Sequence, residues 1–273
     1  MIALQKSISV SALANMLNDF HSELDQKPVI LNYTGKIKNL LSKGDTNVKT
    51  EKNELETFIL YMAPAKSNSF GVNLCPKASK ACTVACITTS GMMTFTSNIL
   101  ARIRKADFYV NPETRKGFCL QLWKELVNKD RTAKKRGYKV AVRLNGTTDL
   151  DFFGILKNQI GKDLFSLTNL VFYDYTKLIG KVVKYQEQIK SGKYFLTFSR
   201  SEDNWSDCLA ALNMGTNVAV VFGSDSLKPE IFEGFEVIDG DKTDIEMLKV
   251  SGKILALRAK GKAKKDRTGF VIW

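Results

Sequence analysis

Histidine is almost missing from this chain: His21 is the single one in 273 residues. Chemistry that relies on an imidazole as general base therefore has almost nothing to work with. A cysteine hydrolase is disfavoured for the same reason, because nothing around His21 marks it as a catalytic partner. No apolar run approaches the roughly 20 residues of a membrane-spanning helix. The first residues, Met1 to Lys6, lack the charged-then-apolar layout of a secretory signal. A cytoplasmic protein without a membrane partner is expected. No glycine-rich phosphate loop of the Walker or Rossmann kind is present, and no internal repeat is visible. The 5 cysteines are odd in number, and their spacing is not that of a disulfide framework.

What is present begins with ordinary globular composition. Hydrophobic residues make up 44% and charged residues 25%, enough for a large core in one big α/β domain or two small ones. The concentrated feature is the run from Cys75 through Cys82 to Cys86, a C-x6-C-x3-C cluster. An apolar run, Phe58 to Ala63, precedes it, and a loop rich in Pro, Ser, Asn and Gly leads into it. Isolated cysteines usually pack as small hydrophobes. Three clustered in such a loop point instead to metal or redox chemistry. Thiolates suit zinc or an iron–sulfur cluster, and three are one short of a closed structural zinc site. Either Cys119, Cys208 or His21 completes the site, or one coordination position is open for chemistry.

Charge is lopsided, with 41 Lys and Arg against 28 Asp and Glu, net +13. That favours a polyanionic partner such as DNA or RNA, or an anionic substrate, over a merely solvated lysine-rich surface only by its local density. Two runs are dense: Arg131 to Lys139, containing Lys134, Lys135 and Arg136, and Arg258 to Arg267, containing Lys264, Lys265 and Arg267.

Along the chain, Val10, Leu13, Met16, Leu17 and Phe20 recur at helical spacing, and Val29 to Thr34 reads as extended. Residues 1–56 are expected as an N-terminal extension. From residue 57 apolar β-rich runs alternate with helical segments. The strands are expected at Thr57–Met62, Lys139–Leu144, Leu170–Tyr173, Tyr194–Phe198, Val218–Phe222, Glu236–Ile238 and Ile254–Leu257. Helices are expected over about 92–109, 113–136, 151–167, 177–191, 203–214, 226–233 and 243–250. Asn111-Pro112-Glu113 is a cap followed by proline in the first turn. Such alternation implies parallel pairing by right-handed crossovers. The expected fold is a complete or partial (β/α) barrel over 57–258, with a basic tail over 259–273; a doubly wound open sheet is the runner-up.

In parallel α/β folds function collects where strands end. Asn145 and Asp149, Asp174, and Ser199 with Arg200 stand at three such ends. They carry more than helix caps need, and the Arg143 and Arg200 guanidiniums suit a carboxylate or phosphate. Tyr173 and Tyr175 could stack on an adenine or a base.

A cysteine loop after the first strand of an α/β barrel resembles the radical S-adenosylmethionine (SAM) enzymes. That resemblance implies a [4Fe–4S] cluster on Cys75, Cys82 and Cys86, with SAM on the open iron. Asn145, Asp149, Asp174, Ser199 and Arg200 would then position cofactor or substrate. The usual spacing in that superfamily is C-x3-C-x2-C, and Asn145-Gly146-Thr147 stands where Gly-Gly-Glu is usual. A closer set of features is similar to the phage-encoded gene product 88 family. It comprises Tyr61 to Pro64, Asn73 to Pro76, Cys82, Cys86 and the Gly91 turn. It continues with Arg143 to Asp149, Phe172 to Lys177 and Leu196 to Ser201. This second resemblance implies a phage or mobile-element origin, and for a phage chain the host cytoplasm, but no activity. The alternative function is a non-enzymatic DNA- or RNA-binding protein with a structural zinc or iron–sulfur site. There the two basic runs would meet phosphates.

Overall fold

The computed structural model describes residues 37–44, 55–242 and 246–273, and in it the apolar runs form one ten-stranded sheet. β1 (Leu41–Lys43) lies antiparallel to β2 (Thr57–Leu60). The chain then steps through β3 (Val140–Arg143), β4 (Leu170–Thr176), β5 (Tyr194–Ser199) and β6 (Asn217–Phe222). Each lies parallel to and beside the one before. β7 (Ile231–Phe232) and β8 (Phe235–Asp239) form an antiparallel pair at the far edge. β9 (Ile254–Arg258) inserts between β6 and β8, parallel to both. β10 (Val271–Ile272) pairs with the end of β6. All seven expected strands are present, as β2 to β6, β8 and β9.

Helices fill the crossovers. α1 (Lys80–Val84), α2 (Thr96–Val110) and α3 (Pro112–Arg136) lie between β2 and β3. α4 (Phe152–Ile160) follows β3, α5 (Ile179–Lys184) and α6 (Gln186–Lys190) follow β4, and α7 (Trp205–Asn213) follows β5. α3 starts as expected: the Asn111 side chain accepts from the Glu113 N–H and Pro112 opens the first turn. Gly137, at φ +71°, ends it in the left-handed conformation that glycine adopts without strain.

Stepping β2 to β6 in one direction with right-handed crossovers puts the helices on one face. Leu60, Val142, Phe172, Leu196, Val220 and Ala256 point there and meet Ile103, Phe118, Leu122, Leu156, Val182 and Leu212. Each fully buried Leu or Phe of this core contributes roughly 1.5–3 kcal/mol. The opposite face is covered locally, where Met247 packs on Ala141, Tyr173 and Leu255. A doubly wound arrangement, with helices on both faces, is not what these contacts describe.

The sheet is open. Its path ends at β1 on one side and at β7 on the other, and the exchanged order of β8 and β9 interrupts the winding. A complete barrel is therefore corrected to an open, mostly parallel α/β sheet over the described residues. The helix expected over 226–233 is also replaced, by one turn at Asp225–Leu227 and the β7–β8 hairpin. Pro229 disfavours helical backbone at the residue before it. Glu233 and Gly234, at φ +51° and +85°, make the reversal.

The expected helix over Val10 to Phe20, the extended piece Val29–Thr34, His21 and most of the 44–54 loop lie outside the described residues. Within the expected N-terminal extension, Glu125 of α3 accepts from the Leu40 and Leu41 N–H groups at 2.8 and 2.9 Å, which fixes β1. The expected basic tail is part of the fold. Ala259, Ala263, Phe270 and Val271 pack on Ala81, Ala85 and Cys82.

One turn tolerates no side chain. A Cβ on Gly146, just after β3, would stand 2.6 Å from the Tyr61 ring and 2.7 Å from an Ile59 methyl. Gly146→Ala is expected to destabilise the fold by about 1–3 kcal/mol, through displacement of that ring. Urea unfolding of the purified variant checks it; an unchanged midpoint would show that the ring gives way freely.

Candidate metal centre

The loop that follows β2 is built by local polar chemistry. The Asn68 side chain donates to the Val72 carbonyl at 2.6 Å and accepts from the Phe70 and Val72 N–H groups, both at 3.2 Å. Asp107 of α2 accepts from the Ser69 N–H at 2.9 Å and its hydroxyl at 2.5 Å. Leu74 is buried and anchors the loop to the core. Cys75 follows, its N–H donating to Asn73 at 2.9 Å.

Cys82 sits in α1. Ser79 caps that helix, accepting from the Cys82 N–H at 3.0 Å and donating to Glu202 at 2.8 Å. Glu202, beyond β5, also accepts from the Ala81 N–H at 3.4 Å. The cap thus ties the cysteine helix, which follows β2, to the end of β5, three positions across the sheet. Cys86 opens the next turn.

All three thiols are unpaired and half-buried, and they lie near enough to one another to couple electrostatically. The Ala65 N–H donates to the Cys75 sulfur at 3.3 Å, and the Thr88 hydroxyl to the Cys86 sulfur, also at 3.3 Å. Ala65 holds φ +45°, an unusual conformation for a residue with a Cβ, where it makes this bond. Burial pushes the Cys75 thiol up to about 12, against the pull of the Ala65 N–H. Burial likewise raises Cys82, against the Lys177 ammonium beside it. Without a bound cation these two side chains are thiols at neutral pH. Among the described residues no group of three or more His, Cys, Asp or Glu side chains could hold a metal ion as placed.

Two cations stand by the sulfurs. Lys177 donates to the Ser199 carbonyl at 3.1 Å, the Ser199 hydroxyl at 2.9 Å and the Arg200 carbonyl at 3.0 Å. Arg102 of α2 is buried near Cys86 and donates to the Met93 carbonyl at 2.9 Å. Burial lowers both, because desolvation disfavours the charged form. No motif marked Arg102 in the sequence. Glu202 could be read there only as part of the polar end of β5.

The polar residues expected at the strand ends divide. Asn145, Asp149 and Asp174 are buried and committed to partners within the fold. Asp174 accepts from the Asn145 N–H at 2.9 Å and its amide at 3.0 Å. Asp149 accepts from the Thr176 hydroxyl and the Lys177 N–H, both at 2.8 Å, with Lys181 at 3.6 Å. This network backs Cys75: the Asp149 N–H donates to the Leu74 carbonyl at 2.9 Å, and the Cys75 thiol approaches the Thr147 carbonyl at 3.8 Å. Ser199 holds Lys177. Arg200 grips the C-terminal segment, donating to the Gly269 carbonyl at 2.8 Å and the Phe270 carbonyl at 3.2 Å.

Tyr173 is fully buried, so it presents no ring face to a base, and the Arg143 guanidinium lies 4.7 Å from the Tyr175 ring centre. Cys119 and Cys208 are both in the helix-side core. Lys177 stands beside both Cys82 and Cys208, but the Cys208 thiol donates to Asn204, at 3.6 Å. The two basic runs part company. Lys134, Lys135 and Arg136 end α3 just before β3, at the entry end of the strands. Lys264, Lys265 and Arg267 come after β9, where the segment packs on the cysteine loop.

Fold and site together define an α/β protein with a cluster of thiols at the carboxyl edge of a parallel sheet. Residues 34–272 match the model of the gene product 88 family, and the chain belongs to that family, as the shared segments from Tyr61 to Ser201 led us to expect. Membership brings no activity with it. Neither a curated protein nor a solved structure matches the chain, so the likeness to radical-SAM enzymes gains no support there. Among the described residues no helix is long and apolar enough to cross a membrane.

Proposed function

We propose that Cys75, Cys82 and Cys86 hold a [4Fe–4S] cluster and that the chain is a radical-SAM-like enzyme. The observation that carries this reading is the placement of three half-buried thiols at the carboxyl edge of the sheet, with Cys119 and Cys208 packed away in the core. The donor set fits the group. Thiolate ligands are steadied by N–H and O–H donors and by shelter from water. The Ala65 N–H, the Thr88 hydroxyl and the Lys177 ammonium supply the first. The packed C-terminal segment supplies the second.

Zinc is the second reading: three thiolates are one short of a closed structural site, and Cys119 and Cys208 are packed in the core rather than at the loop.

When bound, such a centre would supply one-electron reductive cleavage of SAM, with Cys75, Cys82 and Cys86 holding it. The residues of this chain have supporting parts. Lys177 balances thiolate charge at Cys82. Glu202 and Ser79 fix α1. Asn145, Asp149 and Asp174 hold the loop behind Cys75 rather than touching a ligand. The sheet face opposite the helices, where Arg143 lies over the Tyr175 ring, would receive the substrate.

The test is metal analysis of protein purified without oxygen and reconstituted. About four iron and four sulfide per chain, with broad absorption around 400 nm, are expected. Reduced protein should then release methionine from SAM. One zinc and no colour, or no metal after reconstitution, would sink the reading.

A further inference from the structure

Every crossover in this fold returns the chain to the entry ends of the strands. The loops entering β3, β4 and β5 therefore gather at one end of the sheet, opposite the cysteines. Those loops are basic. Lys134, Lys135, Arg136 and Lys139 precede β3, Lys162 precedes β4 and Lys193 precedes β5, all exposed. None of these six forms an ion pair with a described residue. Carboxylates nearby are occupied: Asp130 accepts from the Asn169 N–H at 2.8 Å and Asp163 from the Phe165 N–H at 2.9 Å.

At the exit end Lys228 meets Asp225, Asp239 and Asp241 at 2.8, 2.9 and 3.2 Å, and Lys260 meets Asp241 at 3.0 Å, while Lys262, Lys264, Lys265 and Arg267 of the C-terminal segment are exposed outside these pairs. At the entry end Arg136 donates to the Tyr138 hydroxyl, which donates to Glu56, and the other five cations stand on three adjacent strand approaches with no acidic partner among the described residues.

We propose that this entry end is a binding face for the phosphodiester backbone of nucleic acid. A membrane surface is the competing polyanion, and side-chain chemistry argues against it. Faces that settle on lipid mix cations with apolar side chains that insert. Here Val84, between Cys82 and Cys86, and Ile87, Met92 and Phe95 after them are exposed instead, and Tyr138 is the large apolar side chain exposed beside the basic residues. Adjacent strands are about 4.8 Å apart, so the loops of β3 to β5 span roughly 10 Å. One strand of a duplex offers a phosphate about every 3.4 Å of rise, so about three phosphates fall within that span. Lys134, Lys135 and Arg136 in the last turn of α3, with the loop lysines, would meet phosphates, and phosphate contacts carry no sequence information, so the binding is independent of sequence.

The experiment uses the full chain and a fluorescein-labelled duplex of about 20 base pairs, followed by anisotropy between about 50 and 200 mM KCl. The slope of log K against log salt is expected near −3, about −0.9 per phosphate. Lys134→Glu/Lys135→Glu/Lys139→Glu is expected to weaken binding at least about tenfold and to flatten the slope by about 2–3. Lys262→Glu/Lys264→Glu/Lys265→Glu makes the same change of charge at the other end. It is expected to stay within about twofold of wild type. Circular dichroism confirms that both variants fold. Equal loss in both variants, loss only in the second, or no binding at the lowest salt would overturn the proposal. So would binding to phosphatidylserine vesicles without binding to the duplex. Cys82→Ala should bind the duplex like wild type, so the outcome stands apart from that of the cysteine centre.

Discussion

Cys82→Ala, reconstituted without oxygen, is expected to lose its iron and sulfide, while Cys208→Ala keeps them. The contrast is sharp because the two thiols share a neighbour, Lys177, but not a role. Cys82 is half-buried beside two other thiols, and removing it takes a ligand from the proposed cluster. Loss of even an outer-shell partner lowers metal affinity 10–100-fold, so iron content should fall to about a tenth or less. The apo fold should notice little. The Cys82 side chain sits beside Ala81, Ala85 and Ala263, and loss of one sulfur there costs about 1 kcal/mol or less. Cys208 is the reverse case. It is fully buried in the main core, so its truncation leaves a small void and costs about 1–2 kcal/mol without touching the centre. Iron analysis and urea unfolding on both variants separate the two effects. Full iron in Cys82→Ala would remove Cys82 from the site. Lost iron in a folded Cys208→Ala would make Cys208 the fourth ligand.

Most of the strands were legible because they are short apolar runs buried on both faces, a pattern that local sequence carries; β8, with no fully buried residue, is the exception. The start of α3 was legible from Asn111-Pro112-Glu113. Their order in the sheet was not. Nothing in Phe235–Asp239 or Ile254–Arg258 says that the later strand lies inside the earlier one. β1, β7 and β10 are two or three residues long and exist only by pairing with a neighbour. The C-terminal segment was hidden by its lysines. Ala259, Ala263, Phe270 and Val271 are buried at irregular intervals among exposed charges, which reads as a solvated tail. At the site, the cysteines stood out by clustering. Arg102 and Glu202 reach it only through packing, from a helix and a distant strand end. Asn145, Asp149 and Asp174 were recognised as unusual for strand ends; there Asn145 and Asp174 hold each other, and Asp149 holds Thr176 and Lys177.

That network gives a prediction whose sign depends on pH. Asp174 is buried and accepts from the Asn145 N–H and amide and, at 3.4 Å, from the Tyr194 hydroxyl. Burial holds its carboxyl above the usual carboxylate range, with Lys181 and Arg143 pulling the other way. An amide in its place keeps one acceptor and turns the other contact into donor facing donor. Asp174→Asn is therefore expected to lose about 1–3 kcal/mol at neutral pH. The raised value means that the folded chain keeps this proton at a pH where the unfolded chain has released it. Asp174 thus contributes stability that is fully present below the unfolded value near 3.9 and is lost as pH rises through the folded one. The variant has no such group, so the gap between wild type and Asp174→Asn should widen as pH falls from about 7 toward 4. Urea titrations across that range measure it. A gap that narrows on acidification would show that Lys181 and Arg143 outweigh burial and hold the group as an anion. The consequence reaches the cysteines. Asn145 and Asp149 position the loop that backs Leu74 and Cys75, so the same substitution should also speed alkylation of Cys75 in the metal-free protein.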